Sequence, residues 1–333
     1  MKRREIKAIL RSGDLDGDDA KAEARAQQPT QRVRLAADVM QASRVPAQDL
    51  PSGALYVVAT PIGNLADITL RALWVLAHAD AIAAEDTRVT RALLARYEID
   101  VPVFAAHQHN ERAAAEVITA RLARGERVAL VTDAGTPAVS DPGALIVRAV
   151  LAAGHRVVPV PGASSALAAL MTAGIAGGGF EFIGFLPSGA RERKRRLATA
   201  AAAGTAFVAF EAPHRVRVMA AELAAVLAPN RRIVLARELT KTFETVFSTT
   251  AGEFTARLAG EPERGEFVIV VDSANTAADA LEMDAAALRW LRALAAELPA
   301  ARAAAVAAKA TGRPRAELYR VLLAVEGRAP GDD

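Results

Sequence analysis

Three short segments rich in glycine, proline, serine and threonine have the residue types that suit binding of a flat ligand. They are TPIGNLADIT at 60–69, TDAGTPAVSDPG at 132–143 and PGASSA at 161–166. A fixed proline φ beside a residue without Cβ lets the backbone approach a purine closely. One such loop would more often be a simple turn. Because all three follow predicted strands, and ligands of open α/β sheets bind beyond strand carboxyl ends, a shared site is favoured.

Absent motifs narrow the kind of ligand. No G-x-G-x-x-G follows the first predicted strand, and no G-x-x-x-x-G-K-[ST] occurs anywhere, so neither a usual dinucleotide site nor a P-loop is predicted. His107, His109 and Asn110 form a polar loop, but no cysteine or carboxylate stands at a ligand spacing beside them. No metal site is therefore predicted.

One basic tract stands out at 191–196. Five of its six residues are basic: Arg191, Arg193, Lys194, Arg195 and Arg196. Most such runs are a solvated helix face. The tract follows the turn FLPSG, and we place it beside the cleft in which the ligand of the three loops is expected. This position favours contacts with RNA phosphates, which fix the register without reading bases.

The composition indicates a folded protein of two or three domains. The chain has 333 residues, of which 52% are hydrophobic and 24% charged, a formal charge of +3 and no cysteine. No apolar run is long enough for a membrane span, and the lack of cysteine fits a reducing compartment, so the cytoplasm is expected. The first fifty residues have no apolar period and are predicted to be a disordered extension rather than an export signal.

Alternating strand and helix patterns predict an α/β fold with a largely parallel sheet from Ala54 onward. The predicted strands of this first half are 54–60, 81–85, 101–104, 127–132 and 155–160. Asn110 and Gly125 are predicted to cap the helix between them. Asp141 and Pro142 are predicted to open another helix, which Gly154 ends.

A second α/β half follows the glycine-rich segment 173–179, which we interpret as a linker. Its predicted strands are 180–185, 205–212, 231–238, 244–250 and 266–272. The five residues LTKTF between the third and fourth of these are too few for a parallel crossover, so an antiparallel pair is predicted. The expected domains are 51–173, 174–275 and 280–328, after the extension at 1–50.

The last part of the chain is predicted to be helical. One amphipathic stripe consists of Met283, Ala287, Trp290, Leu291, Leu294 and Leu298. Pro299 and Pro314 each open a further helix around the turn at 311–313, and Leu318, Leu322 and Val325 line the inner face of the last one. A helix-turn-helix carrying Arg315, Tyr319 and Arg320 and a simple helical cap explain this pattern equally well.

Seven segments in order resemble one family of enzymes. GALYVVATPIGNLADIT, AEDTRVTRALL, TDAGTPAVSDPG, VPVPGASSALAAL, FIGFLP, FEAPHR and LTKTFE are similar to the 16S rRNA (cytidine-2′-O)-methyltransferases, which have the tetrapyrrole-methylase-like class III fold. The resemblance runs from about 53 to 272. It implies two α/β domains with S-adenosyl-L-methionine in the cleft between them, a small C-terminal helical domain, a homodimer, and methyl transfer to the ribose 2′-OH of cytidine 1402 in 16S rRNA or the 30S subunit.

The resemblance also implies which residues bind the cofactor. In the first half they are Pro61, Asp133, Gly135, Thr136, Pro137, Val139, Ser140, Ser164 and Ser165. In the second half they are Phe210, Glu211, Ala212, Ala236, Gly265 and Glu266. Related tetrapyrrole enzymes have Gly-Asp-Pro where this chain has 135–137, so either Thr136 or Asp133 takes over the aspartate contact.

A ribose hydroxyl is a poor nucleophile until it loses its proton, so a base would assist the transfer. The candidates are Glu85, Asp86, His214, Glu238 and Lys241. Asp86 or Thr87 is expected to cap a helix, His214 has an ordinary surface or core explanation, and a solvated hairpin explains Lys241 equally well. We place Glu85 and Asp86 at the site, and Arg88, Arg215 and Lys241 on phosphate or ribose.

Two other functions remain open at this point. A methyltransferase of the same fold that acts on a small molecule such as a tetrapyrrole would give the tract at 191–196 and the helical tail no role. A non-enzymatic nucleic-acid-binding protein would leave the three loops unexplained.

Overall fold

The computed structural model describes residues 39–175, 179–273 and 285–311, together with 315, 318, 319, 321 and 322. Two compact units account for these described residues. The first takes the residues up to Thr172 with Ala236–Val246 and Arg264–Val268, and the second takes Ala173–Leu235, Phe247–Glu263 and the residues from Ile269 onward.

The first sheet is parallel in its recorded pairings and has five strands in the order β3-β2-β4-β1-β5. The strands are β1 Ala54–Val58, β2 Ala81–Ala84, β3 Val103–Ala105, β4 Val128–Val131 and β5 Arg156–Val160, each within two residues of its predicted bounds. β2 and β4 are buried along their whole length, as continuous apolar runs predict for strands covered on both faces. All carboxyl ends in such a sheet meet at one edge.

Five helices follow the strands of this sheet along the chain: α1 Leu70–His78, α2 Thr87–Arg96, α3 Glu111–Ala123, α4 Ala144–Ala152 and α5 Ser165–Ala173. The first four contribute buried side chains to the apolar core on the sheet. Gly125 and Gly154, at φ +82° and +78°, follow α3 and α4 as predicted. Asn110 occupies the predicted N-cap of α3 without a side-chain bond to the helix. Its Oδ1 instead accepts from the amide of His107 at 2.7 Å, so Asn110 shapes the preceding loop.

The predicted start of α4 is wrong. The helix begins at Ala144, and its N-cap is Gly143 at φ +127° rather than Asp141. The carbonyl of Pro142 accepts from the amide of Ala138 at 3.1 Å. Pro142 therefore closes the preceding loop, and both Asp141 and Pro142 lie before the first turn of the helix.

The second sheet also has five strands, in the order β6-β7-β10-β8-β9. They are β6 Phe180–Phe185, β7 Ala206–Glu211, β8 Arg232–Arg237, β9 Thr245–Thr250 and β10 Phe267–Val271, and the helices among them are α6 Ala190–Ala202, α7 Val216–Val226 and α8 Phe254–Leu258. β8 and β9 are neighbours, as the short connection predicted. Residues 176–178, in the predicted linker, lie outside the described residues.

The C-terminal helices α9 Ala285–Glu297 and α10 Ala300–Thr311 have their own apolar core. It contains Leu291, Ala303, Ala304, Ala307, Leu318, Val321 and Leu322, with Leu294 and Leu298 packed against it. Trp290 was predicted to belong to the apolar stripe, but it is 44% exposed and lies outside the buried core. Thr311, the first residue of the predicted turn, still belongs to α10. Met283, Gly312, Arg313, Pro314, Arg320 and Val325 lie outside the described residues, as does the Ala287 side chain.

The predicted disordered extension reaches too far toward the C-terminus. Val45 is buried in a short 3₁₀ helix, and Leu50 packs against the first unit's core. The carbonyl of Leu50 also accepts from Arg127 Nε at 2.9 Å. Residues 1–38 of the predicted extension lie outside the described residues. None of the helices in the described ranges combines the length and the apolar character that a membrane crossing requires.

Candidate active site

Main-chain hydrogen bonds join the first and second glycine-rich loops. The amide of Thr60 donates to the carbonyl of Gly135 at 2.9 Å, and the amide of Gly135 donates back to Thr60 at 3.0 Å. The buried Thr60 hydroxyl donates to the carbonyl of Thr132 at 3.1 Å. The segments that leave β1 and β4 are therefore held together beyond the strand ends.

The third loop is attached to both of the others. The Thr136 hydroxyl donates to the carbonyl of Ala163 at 3.2 Å, and the amide of Ala59 donates to Val160 at 3.1 Å. A Cβ at Gly162 would lie 3.1 Å from the Cβ of Ala59. The sequence prediction that the three loops share one place at the sheet edge is thus matched by their contacts, and Thr136 serves to join two of them.

The second loop contains an unusual density of left-handed backbone. Gly135 is at φ +82°, Ala138 at +66° and Ser140 at +61°. For residues with a Cβ this conformation costs about 1–2 kcal/mol each, and it is concentrated at ligand sites. Pro137 between them is buried, whereas Val139 and Ser140 are exposed. The loop is held in a shape that its residue types alone do not prefer.

The charged residues after β2 contact the second loop. The amide of Asp86 donates to Asp133 Oδ1 at 3.0 Å, and the amide of Asp133 donates to Glu85 Oε2 at 3.3 Å. These reciprocal bonds place three predicted site residues next to one another. Asp133 therefore holds the Glu85-Asp86 turn, whichever other contact it makes.

Asp86 is the N-cap of α2. Its Oδ1 accepts from the amide of Arg88 at 2.9 Å, and its Oδ2 pairs with the Arg88 guanidinium at 2.6 Å. The expectation that one residue of this turn caps a helix is confirmed for Asp86. Capping α2 explains the presence of Asp86 without a catalytic role. Arg88 is exposed, and its guanidinium is bound to the Asp86 carboxylate.

A second charged cluster contains Lys241, Glu238 and Glu266. The Lys241 Nζ donates to Glu238 Oε1 at 2.8 Å and lies 3.5 Å from Glu266 Oε2, and the Lys241 side chain is only 9% exposed. Glu238 Oε1 also accepts from the amide of Glu266 at 2.9 Å. A solvated hairpin does not describe this arrangement. Lys241 and Glu266 are thus brought together with the base candidate Glu238.

The Lys241 cluster contacts the first loop. The amide of Asn64 donates to the Thr240 hydroxyl at 3.1 Å, and a Cβ at Gly63 would lie 2.5 Å from Lys241 Cγ. Glu238 and Thr240 are at φ +52° and +65°, so this turn also has left-handed backbone. Gly63, Asn64 and Thr240 were not among the predicted site residues, although Gly63 and Asn64 lie in the segment at 60–69 and Thr240 lies in the connection LTKTF.

The pKa of Lys241 decides its chemical role. Burial acts to lower this pKa, but the carboxylates of Glu266 and Glu238 outweigh burial and raise it above the usual lysine value. The ammonium therefore keeps its proton at neutral pH. Lys241 suits contact with an anion or a hydroxyl oxygen, and it does not suit the abstraction of a proton.

We expect Lys241→Met to lower the free energy of unfolding at pH 8, with the deficit shrinking above about pH 10.4. A raised folded-state pKa means that the stabilisation is fully present below the unfolded lysine value and is lost as the pH rises through the folded value. Urea denaturation from pH 8 to pH 11 measures this difference. The exposed Lys194→Met is the control, and a Lys241→Met deficit independent of pH would contradict the ion-pair explanation.

The remaining predicted residues of the first unit have simple placements. Pro61 is buried at the start of the first loop, and Ala236 is buried in β8. Ser164 precedes α5 and its hydroxyl accepts from the amide of Leu167 at 3.5 Å, while Ser165 is the first residue of that helix. Gly265 is at φ +91° beside Glu238, where a Cβ would meet the Glu238 side chain at 2.6 Å.

In the second unit, Phe210, Glu211 and Ala212 end β7. Glu211 Oε1 accepts from the amide of Ala212 at 2.7 Å and pairs with Arg215 at 2.5 Å. Glu211 Oε2 is buried with no hydrogen-bond partner among the described residues. Arg215 is largely buried in this pair, which makes it a structural residue instead of the predicted phosphate contact. His214 is exposed.

The basic tract divides into buried and exposed residues. Arg193 is buried, and its guanidinium makes two bonds to Glu222, at 2.7 and 2.9 Å. The prediction that Arg193 contacts RNA phosphate is therefore wrong. The side chain is buried, and its guanidinium is bound to Glu222. Arg191, Lys194 and Arg195 are exposed, while Arg196 pairs with Glu181 at 2.7 Å.

Comparison with known proteins decides what kind of site this is. Residues 54–255 match the tetrapyrrole (corrin/porphyrin) methylases, a span that contains the three loops and most of the Lys241 cluster. The chain belongs to the tetrapyrrole methylase family. Residues 282–325 match the RsmI C-terminal HTH domain, so the helical tail is a helix-turn-helix-type domain. Together with the two five-stranded sheets, this match confirms the predicted fold of two α/β sheets with a helical addition.

Similar proteins of this family include curated relatives and solved structures. The chain is 49% identical over 273 residues to the ribosomal RNA small subunit methyltransferase I of Neisseria meningitidis serogroup B, covering 81% of this chain and 93% of that protein. It is 44% identical to that of Haemophilus influenzae, covering 82% and 97%. The methyltransferase CobJ superposes with a TM-score of 0.52 at 23% identity, covering 67% of this chain and 95% of that one, and shares the fold.

Family membership confirms the predicted cofactor, S-adenosyl-L-methionine, and the geometry of the loops fits such a group. The Thr132 hydroxyl, at the carboxyl end of β4, is buried with no hydrogen-bond partner among the described residues. A Cβ at Gly162 would lie 3.1 Å from the Cβ of Ala59, and Gly135 adopts φ +82°, so both positions suit glycine. A purine nucleoside needs a hydrogen-bonding group and space for a flat ring. The buried Thr132 hydroxyl and the two glycines offer both.

Proposed function

We propose that this protein methylates the 2′-oxygen of cytidine 1402 in 16S rRNA, using S-adenosyl-L-methionine. The observation that carries the proposal is the similarity, at 41–49% identity over four-fifths of the chain, to proteins named ribosomal RNA small subunit methyltransferase I. The similarity to the RsmI C-terminal HTH domain supports it, because a small-molecule methyltransferase would need no such domain.

When bound, the cofactor supplies a methyl group that its sulfonium already activates. The protein's task is then to position the acceptor oxygen and exclude competing nucleophiles. The three joined loops provide a fixed backbone for the nucleoside part. Lys241 keeps its proton at Nζ and can hold a ribose oxygen or a phosphate, while Glu85 lies beside Asp133 at the same edge.

The experiment is transfer of labelled methyl groups to three substrates offered separately: 30S subunits, protein-free 16S rRNA and uroporphyrinogen. We expect the label in RNA, on a nucleotide whose 3′-phosphodiester bond resists alkaline hydrolysis. The resistance arises because a methylated 2′-oxygen cannot attack the adjacent phosphate. A matched control is an RNA fragment with 2′-deoxycytidine at the target position, which should take no label. Label in uroporphyrinogen alone, or none anywhere, would contradict the proposal.

A further inference from the structure

An aromatic ring in the second unit is half-exposed yet held in a fixed orientation. Phe185, the last residue of β6, is 51% exposed. Its ring meets that of Phe210 edge to face, with centroids 5.4 Å apart and an interplanar angle of 67°. Phe182 meets the same ring at 5.0 Å and 68°. Edge-to-face contacts are favourable because the positive edge of one ring meets the negative face of the other, so Phe185 presents an ordered apolar surface to solvent.

A β-bulge puts Phe185 on this face. Phe182 lies opposite Val208, whereas Gly184 lies opposite Ala209, so Ile183 is an extra residue between them. In a regular strand Phe182 and Phe185 would point to opposite faces, because side chains alternate. The extra residue reverses the alternation and brings both rings to Phe210. Gly184 adopts φ +63° in this bulge, a backbone conformation that glycine supplies readily.

Two arginines fix the connection that follows Phe185. Residues 186–189 join β6 to α6. Arg193 Nη1 donates to the carbonyl of Ser188 at 3.0 Å, and Arg215 Nη2 donates to the carbonyl of Leu186 at 3.2 Å. Both arginines are held in turn by buried carboxylates, Glu222 and Glu211. The ring and the start of α6 therefore keep a constant separation.

The exposed face of α6 is mostly basic, although the exposed Glu192 lies 3.7 Å from Arg195. Arg191, Lys194 and Arg195 are spaced i, i+3 and i+4, so they share one side of the helix, while Leu197 and Ala200 are buried on the other. Arg191 follows Phe185 by six residues, so their Cα atoms lie within about 22 Å even if the connection is fully extended. An apolar ring and three cations are thus within reach of one short nucleic-acid strand.

We propose that Phe185 is a stacking platform for an unpaired base of the substrate RNA, whose phosphates lie along the basic face of α6. The inference rests on the proposed function and identifies how the RNA is held. A base of a single strand offers a free face to an aromatic ring, while a base within a duplex does not. Arg191, Lys194 and Arg195 supply the charge complementarity that distinguishes this surface from an ordinary apolar patch.

The test is the affinity of Phe185→Ala for a fluorescein-labelled single-stranded RNA of about 10 nucleotides, measured by anisotropy. We expect binding to weaken about 5- to 140-fold, since stacking contributes about 1–3 kcal/mol per base. Phe180→Ala, an exposed phenylalanine at the other end of β6, is the matched control and should bind as the wild type does. Phe185→Trp should retain affinity, and its fluorescence should be quenched by the RNA.

Salt dependence separates the ring from the charges. Replacing Arg191, Lys194 and Arg195 with alanine should reduce the slope of log affinity against log salt by about 2, while Phe185→Ala should leave the slope unchanged. Wild-type affinity in Phe185→Ala, or a changed sedimentation coefficient with unchanged RNA binding, would overturn the platform. If Phe185→Ala weakens binding but wild-type protein labels no RNA, the platform stands and the proposed reaction fails.

Discussion

Gly63→Ala is expected to lower the rate of RNA methylation about 100-fold while the protein remains folded. The new Cβ would lie 2.5 Å from Lys241 Cγ, 2.8 Å from the Thr240 hydroxyl and 3.1 Å from the Leu239 carbonyl. Relief requires the first loop and the Lys241 cluster to separate by close to 1 Å. A displacement of that size at a reacting centre costs about 10²-fold in rate.

The measurement is methyl incorporation at saturating cofactor and RNA, with thermal unfolding of each variant as the check on folding. Gly179→Ala is the matched control, because a Cβ there meets no atom within 4 Å. Its rate should equal that of the wild type. A Gly63→Ala enzyme with wild-type rate would mean that the contact between the first loop and Lys241 has no part in positioning the reactants.

The second large effect concerns stability and the pair formed by Arg193 and Glu222. Their side chains are 7% and 8% exposed. Arg193→Ala is expected to lower the free energy of unfolding by about 3–5 kcal/mol, because it leaves a buried carboxylate without its cation. Urea denaturation measures the loss. Arg195→Ala, on the exposed face of the same helix, should change stability by less than about 0.5 kcal/mol.

A double variant sharpens this test. Arg193→Met combined with Glu222→Leu removes both charges, and such replacements are often neutral or stabilising. We therefore expect the double variant to be more stable than Arg193→Ala alone. Wild-type stability in Arg193→Ala, together with weaker RNA binding, would restore the phosphate contact that the sequence analysis assigned to this residue.

The strands were predictable because their apolar runs are short, β-branched and bounded by turn residues. All ten observed strands lie within two residues of the predicted ranges. The three loops were predictable for the same reason, since parallel strand ends must meet at one edge. Local pattern and sheet topology were sufficient for these features.

Other features depend on partners that are distant in sequence. The burial of Arg193 depends on Glu222, which lies 29 residues away, so a local charge run gave the wrong interpretation. The Lys241 cluster requires left-handed backbone at Glu238 and Thr240, residue types that give no such signal. The bulge at Ile183 is equally silent, because its sequence FEFIGF reads as a regular strand.

The bridge between Thr60 and Gly135 consists of main-chain atoms only. Proline, which has no amide hydrogen, would remove one of these bonds, whereas other substitutions that keep the backbone path leave both in place. The join between the two loops therefore depends on the course of the backbone. The side chains around it are free to differ between relatives that act on different acceptors, while the join itself stays the same.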